Sequence, residues 1–338
     1  MRIRYIMSAT VLALAAAACS APAVTPGGGS PGVGSLSVIV PDSGNFTSGM
    51  PVYVAIAEGF FKKEGISVTV VNTTGGATNV AAAIAGKGSI GVDTGPVSVL
   101  SADLHGANLK ILAADTTGMD ILFFAKKGSG ITSIRGLAGK AVGYSSPGSS
   151  SEVALGQVND DLKADGLAPA TGEAIGGPPQ EYTAVETGQV AAGFTAAPNL
   201  FSDVEAGGIK LLTSVASYPA YSDVAVRVIF GSGSFIAAHP RQVQGFLTAW
   251  RDAWAFAFAN HVRAMTDWKD GANLAEPVSV LESGFNYYNA QTQRLLPLDG
   301  LSRDVSDAVS LGLLKSALSA AQIAAYSDIS FAAKVPAE

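Results

Sequence analysis

The strongest constraint on the fold is an alternation of strand and helix patterns that the chain runs through twice. From Leu36 the first series reads Leu36-Ser-Val-Ile-Val40 as a strand, 51–63 as a helix, Ser67-Val-Thr-Val-Val71 as a strand, 78–85 as a helix and Ile90-Gly-Val92 as a strand. The second reads Lys140-Ala-Val-Gly-Tyr144 as a strand, 150–164 as a helix, 171–175 as extended and 180–186 as a helix. Strands that alternate with helices predict an α/β fold with a largely parallel sheet.

A shift of 102 residues lays the first series on the second, with Ser43 on Ser145, Gly75 on Gly177, Gly86 on Gly188, Gly91 on Gly193 and Pro96 on Pro198. A shift of 101 places Lys62 on Lys163 and Gly65 on Gly166. Some matches among 39 glycines are coincidental, but these fall at corresponding places in the two series. They predict two similar lobes with mixed, mainly parallel sheets. Lys110–Ala114, Asp120–Ala125 and 223–230 also read as strands. If the second and third of these cross between lobes, the first lobe spans 36–124 plus 220–338 and the second is an insert over 125–219. Two crossings then form a hinge.

The beginning of the sequence has the grammar of a secretory signal over residues 1–18: Arg2 and Arg4, then a mostly apolar run from Ile6 to Ala18. That run is short of the roughly 20 residues a membrane span needs. It stops at Cys19, the single cysteine of the chain, so stability must come from the core rather than from internal disulfides. Ala16-Ala17-Ala18-Cys19 resembles a bacterial lipobox, with Ala16 where Leu is usual. The resemblance implies lipidation at Cys19; ordinary cleavage near Ala18 is the alternative. The following charge-free stretch of Pro, Gly, Ser, Ala and Thr makes 19–35 a lipidated cysteine with a flexible tether. The expected location is the periplasmic or cell-surface face of a membrane, after export. Charged residues make up only 14% and the net charge is −6, which argues against a nucleic-acid partner.

In open α/β sheets, ligands gather beyond the carboxyl ends of strands, where loops run into helix starts with unpaired N–H groups. The corresponding loops are 43–50, 72–79, 93–98, 145–152 and 194–199. Their short hydroxyl donors and glycines give the candidate ligand residues Ser43, Ser48, Thr74, Gly75, Gly76, Thr78, Thr94, Gly95, Ser145, Ser146, Gly148, Ser149, Ser151 and Thr195. Bland alternatives are N-capping for the serine run, a solvated turn at 72–79 and a turn enforced by Gly95-Pro96. Phe46, Tyr144 and Phe194 sit where a planar ligand would stack, although aromatics near strand ends are more often core. Val243, Phe246, Leu247, Trp250, Trp254 and Phe258 form a helical stripe suited to core packing. Arg227, inside an apolar strand, suits a structural salt bridge better than a ligand anion.

No catalytic residue, metal or cofactor is expected. His105, His239 and His261 are scattered without metal-ligand spacing. Gly143-Tyr-Ser-Ser-Pro147 lacks the last glycine of a nucleophile elbow. Neither Gly86-Lys87 nor Gly139-Lys140 completes a phosphate-binding P-loop.

Four stretches carry a resemblance to a known family. Over 51–68 the helix ends in Ala55-x-x-x-Gly59-Phe60-Phe61-x-x-x-Gly65. Ala83-Ile-Ala-Gly-Lys-Gly-Ser-Ile-Gly-Val-Asp93, Ile134-Arg-Gly-Leu-Ala-Gly-Lys-Ala-Val-Gly143 and Gly188-Gln-Val-Ala-Ala-Gly193 follow in order, the last with Ala191 in place of the usual Asp. Together they resemble the nitrate, sulfonate, taurine and thiamine-precursor group of ABC-importer solute-binding proteins. The match is good over 51–198 and looser afterwards, where His239-Pro240 and Ser330-Phe331 are similar to the family. The resemblance implies a type II periplasmic-binding-protein fold and a monomer working with ABC permease subunits. An oxyanion, sulfonate or small heterocycle would be held between closing lobes. A ligand sensor feeding a receptor is the alternative, and an enzyme on the same fold a further one. The pyrimidine synthases of that fold carry a cysteine-rich motif, which a chain with one cysteine lacks.

Overall fold

The computed structural model of the chain describes residues 34–222, 224–290, 292–293, 295 and 301–335. The expected signal segment, Cys19 and the tether up to residue 33 lie outside the described residues. The strands are β1 (Gly34–Val40), β2 (Ile66–Asn72), β3 (Ile90–Thr94), β4 (Leu109–Thr117), β5 (Leu122–Lys126), β6 (Ala141–Tyr144), β7 (Thr171–Ala174), β8 (Gly193–Thr195), β9 (Ile209–Leu211) and β10 (Ala225–Ser232). They form a five-stranded sheet in the order β2-β1-β3-β10-β4, a three-stranded sheet β8-β5-β9 and a two-stranded sheet β6-β7. Every expected strand has a counterpart. The three-residue strands β8 and β9 were not expected as strands, being too short to show a period.

Parallel pairing holds where helices connect successive strands: β1 with β2 and β3, and β6 with β7. Antiparallel pairing enters with the strands beside the crossings, since β10 runs against β3 and β4, and β5 against β8 and β9. The sheets are therefore mixed, with parallel pairing confined to the helix-linked strands. The chain leaves the first sheet after β4 through 118–121 and returns to it between β9 and β10. Because β5 pairs with β8 and β9, the first crossing lies ahead of residue 122 rather than at 124/125.

Strands β3 and β4 are buried almost throughout, as expected of strands covered on both faces. Gly91 is needed in β3: a Cβ there would stand 2.2 Å from the Phe230 ring of neighbouring β10. The expected 51–63 helix is broken into Gly49–Ala57 and Phe60–Lys63, because Gly59 takes a left-handed φ of 74° between them. Pro240 opens the helix Pro240–Ala259, where its missing N–H costs nothing. That helix buries Val243, Phe246, Leu247, Trp250 and Trp254, with Phe258 half-buried at the edge. Phe46 belongs to the same core, stacked on Tyr288 at 5.1 Å and meeting Trp268 edge-on at 5.8 Å. Among the described residues no helix is long and apolar enough to cross a membrane.

Candidate functional site

Loops from both sides of the crossings meet around a cleft of about 530 Å³, counted with its open mouth. The first sheet supplies Asp42 and Asn45 after β1, Thr74–Gly76 after β2, Asp93 and Gly95 at the end of β3, and Arg227 of β10. The other side supplies Ser145 and Ser149–Ser151 after β6, Gly177 and Pro178 after β7, and Phe194 and Ala196 at β8. All five loops expected from the sequence contribute a lining residue or flank one.

Four helices begin at this cleft: Gly76–Ile84, Pro96–Leu104, Ser150–Ala164 and Pro178–Thr187. Their cap residues, Gly75, Gly95, Ser149 and Gly177, all line it. Helix starts present N–H groups without intrahelical partners and a partial positive charge. Gly177 was not among the expected site residues, yet the 102-residue repeat already pairs it with Gly75.

Of the expected ligand residues, Thr74, Gly75, Gly76, Gly95, Ser145, Ser149 and Ser151 line the cleft. The others are tied into the protein. Ser43 bonds Asn72 and, at 3.1 Å, Tyr53. The Ser48 hydroxyl donates to the Asp42 carbonyl at 3.0 Å, and Thr78 donates to the Gly75 carbonyl at 2.8 Å. Buried Thr94 accepts from Asn79 at 2.9 Å, and Thr195 donates to the Asn199 carbonyl at 2.9 Å. Ser146 accepts the Ala77 N–H across the cleft at 3.2 Å. Gly148, at φ 77°, packs so closely on Ser98 that a Cβ would come within 2.9 Å of its hydroxyl. Of the three candidate stacking rings, only Phe194 lines the cleft.

Even the lining serines divide. Ser149 caps its helix by accepting the Glu152 N–H at 3.3 Å, and Ser151 accepts the Ser145 N–H at 2.9 Å. Ser150 donates to the Val226 carbonyl at 2.6 Å. The Ser145 and Thr74 hydroxyls make no hydrogen bond to the protein among the described residues, so they are free to meet a ligand.

The floor carries a buried ionic network that periodicity alone did not reveal. Arg227 lies 3.0 Å from Asp93 through Nε and 2.6 Å from Asp120 through Nη1. Asn45 Nδ2 and Thr47 Oγ1 donate to Asp93 at 2.6 and 2.9 Å, and Tyr288 donates to Asp120 at 2.6 Å. The salt bridge expected for Arg227 is thus present and doubled. Asp93 takes a left-handed φ of 53°, a conformation Asp tolerates better than most residues and one that its several bonds here hold in place. Burial lifts Asp93 to about 6 against the pull of Arg227, and lifts Asp115 well above the usual carboxylate range beside it. Among the described residues no cluster of His, Cys, Asp and Glu has the grouping to hold a metal ion.

The family description NMT1/THI5 like matches residues 47–264. No curated protein sequence matches the chain. Among solved structures, the alkanesulfonate-binding protein SsuA from Xanthomonas axonopodis pv. citri bound to MOPS has a TM-score of 0.72 at 16% identity, covering 88% of this chain and 99% of that one. The periplasmic aliphatic sulphonate binding protein SsuA from Escherichia coli has a TM-score of 0.66 at 16% identity, covering 87% and 92%. The desulfurization enzyme DSZB shares the fold too, with a TM-score of 0.60 at 16% identity, covering 89% and 98%. At such identities these likenesses speak for the fold, which is the α/β periplasmic-binding-protein fold. With its family match running from just ahead of the helix Gly49–Ala57 into the helix His261–Ala272, more than half of the sequence, the chain belongs to the NMT1/THI5-like family.

Proposed function

We propose that this protein is the extracytoplasmic solute-binding component of an ABC importer, capturing one small molecule between two closing lobes and releasing it unchanged. The observation that carries this reading is the contact across the cleft. The Ala77 N–H reaches Ser146 Oγ at 3.2 Å, and Ser98 Oγ reaches the Pro147 carbonyl at 3.3 Å. These bonds join the helix starts that follow β2 and β3 to the loop that follows β6 in a different sheet, while two chain crossings lead from the first sheet to the three-stranded one and back, as in a hinge-closing clamp. In this reading Cys19 is the lipid anchor, which intact-mass analysis of membrane-extracted protein checks. A sensor would use the same clamp, and its distinguishing partner would be a receptor instead of permease subunits.

Gly95 provides the test. Its φ of −56° and ψ of 128° suit any residue, yet a Cβ there would lie 2.9 Å from the Gly148 carbonyl oxygen on the opposite loop. Gly95→Val is expected to leave the folded chain intact, to abolish ligand-induced compaction in small-angle scattering and to weaken binding by about tenfold or more. Compaction that persists in the variant, or a solute recovered chemically altered from the wild type, would overturn the clamp.

A further inference from the structure

The cleft lining is unevenly supplied with acceptors. Its charged residues are Asp42, Asp93 and Arg227, and the arginine is already matched by Asp93 and Asp120. Asp42 Oδ1 accepts the Gly44 N–H at 2.8 Å, but Asp42 has no ion-pair partner and its other oxygen no hydrogen bond among the described residues. Asn45 gives its Nδ2 to Asp93, which fixes the amide and leaves its buried Oδ1 without a donor. Burial holds Asp42 above the usual carboxylate range, a penalty that a positive charge in the cleft would reverse. Donors come from elsewhere: the free hydroxyls of Thr74 and Ser145, and the helix starts at Gly76 and Ser150, whereas the other two helices open on Pro96 and on Pro178-Pro179 and lack those first N–H groups.

We infer that the ligand is bipolar: a protonated or N–H-bearing nitrogen meets Asp42 and Asn45, while an acceptor group meets the helix starts. This rests on the capture reading above and makes Asp42 the residue that selects for the nitrogen. An oxyanion without such a nitrogen satisfies the helix starts but leaves Asp42 facing it with like charge. The SsuA neighbour is described as an alkanesulfonate-binding protein; on the same fold, this cleft discriminates against a plain alkanesulfonate.

The test compares probes that differ only at the nitrogen: aminopropanesulfonate against propanesulfonate, and aminomethylbenzenesulfonate against benzenesulfonate, by titration calorimetry in phosphate buffer. The nitrogen-bearing member of each pair is expected to bind at least about tenfold more tightly. Asp42→Asn keeps an acceptor for the Gly44 N–H and removes the charge. It should erase most of that preference while leaving the amine-free probes unchanged or slightly tighter, a pattern that a merely structural role would not produce. Equal or tighter binding of the amine-free probes by the wild type overturns the inference, as does a preference that survives in Asp42→Asn. If that variant does not fold, the wild-type preference decides. An amine-free sulfonate that bound as tightly as its amine-bearing partner, with compaction, would sink the nitrogen requirement and leave the capture reading standing. Silence from all four probes overturns the inference, and the scattering experiment then decides the capture reading.

Discussion

On the first-sheet bank of the cleft, polarity is buried as charge: Arg227 is flanked by Asp93 and Asp120, with Asp115 and Tyr288 behind them. On the facing bank the lining residues from Ser145 onward are all neutral, and Glu181, a fully buried carboxyl beneath them, has no cation beside it among the described residues. A fixed ionic floor costs desolvation but is hard to rearrange, whereas a hydroxyl loop can adjust its donors. In the proposed capture reading, discrimination by charge therefore belongs to the first bank, and adaptable hydrogen bonding to the second.

The sharpest way to break this contrast is to remove the guanidinium. Arg227→Met leaves two buried carboxylates without their shared cation, and losing one partner of a buried ion pair typically costs about 3–5 kcal/mol. Chemical denaturation should show a loss of that order. Adding Asp93→Asn and Asp120→Asn to Arg227→Met should recover part of it, since the charges left behind are then gone. A loss below about 1 kcal/mol would mean that the floor is not held by charge.

The facing bank predicts a dependence on pH instead. Glu181 lies wedged between β6 and β8, so close that a Cβ at Gly143 or Gly193 would meet its carboxyl at 1.8 or 2.8 Å. Burial pushes Glu181 up to about 9, with only a weaker opposing pull from the Phe194 backbone. Its folded-state value is thus above its unfolded value of 4.5, and the folded protein binds the extra proton. Stability must then fall as pH rises from about 4.5 towards about 9, by up to roughly 1.4 kcal/mol per pH unit. Between about pH 7 and about pH 9 the loss should reach about 2–3 kcal/mol, and Glu181→Gln should flatten that slope. An identical slope in the variant would assign the alkaline loss to other groups.

How legible each bank was follows from the same difference. The strands, the serine run and the glycine-led helix starts were visible because hydrophobic period and turn chemistry are local. The 150–164 helix agrees with its expected bounds because Ser149 caps it and its apolar positions recur at helical spacing. The ionic floor joins residues from β3, β10 and the 118–121 crossing, and no local pattern announces which carboxylate a buried arginine will meet. Asp42 and Asn45 were missed because one acid and one amide in a loop look like ordinary turn residues. The strand β9 was missed for its length, and with it the antiparallel pairing of β5.

The smallest expected effect separates serines that hold the second bank from serines that face the ligand. Ser149 and Ser145 lie in the same loop and both line the cleft, but their hydroxyls have different work. Ser149 Oγ accepts the N–H of Glu152 at 3.3 Å and of Ser146 at 3.4 Å, and lies 3.0 Å from Ser151 Oγ. Ser149→Ala should therefore cost about 1 kcal/mol of stability, the usual worth of a lost N-cap, and weaken binding only through the loosened loop. Ser145 Oγ has no such partner, so Ser145→Ala should leave stability within about 0.5 kcal/mol while lowering affinity by roughly five- to tenfold, the worth of one neutral hydrogen bond. Melting curves and calorimetry on the two variants check both halves of this pattern. If Ser149→Ala lost affinity without stability and Ser145→Ala the reverse, the hydroxyl that meets the ligand would be the capping one, and the helix start at Ser150 would lie closer to the ligand than the β6 turn.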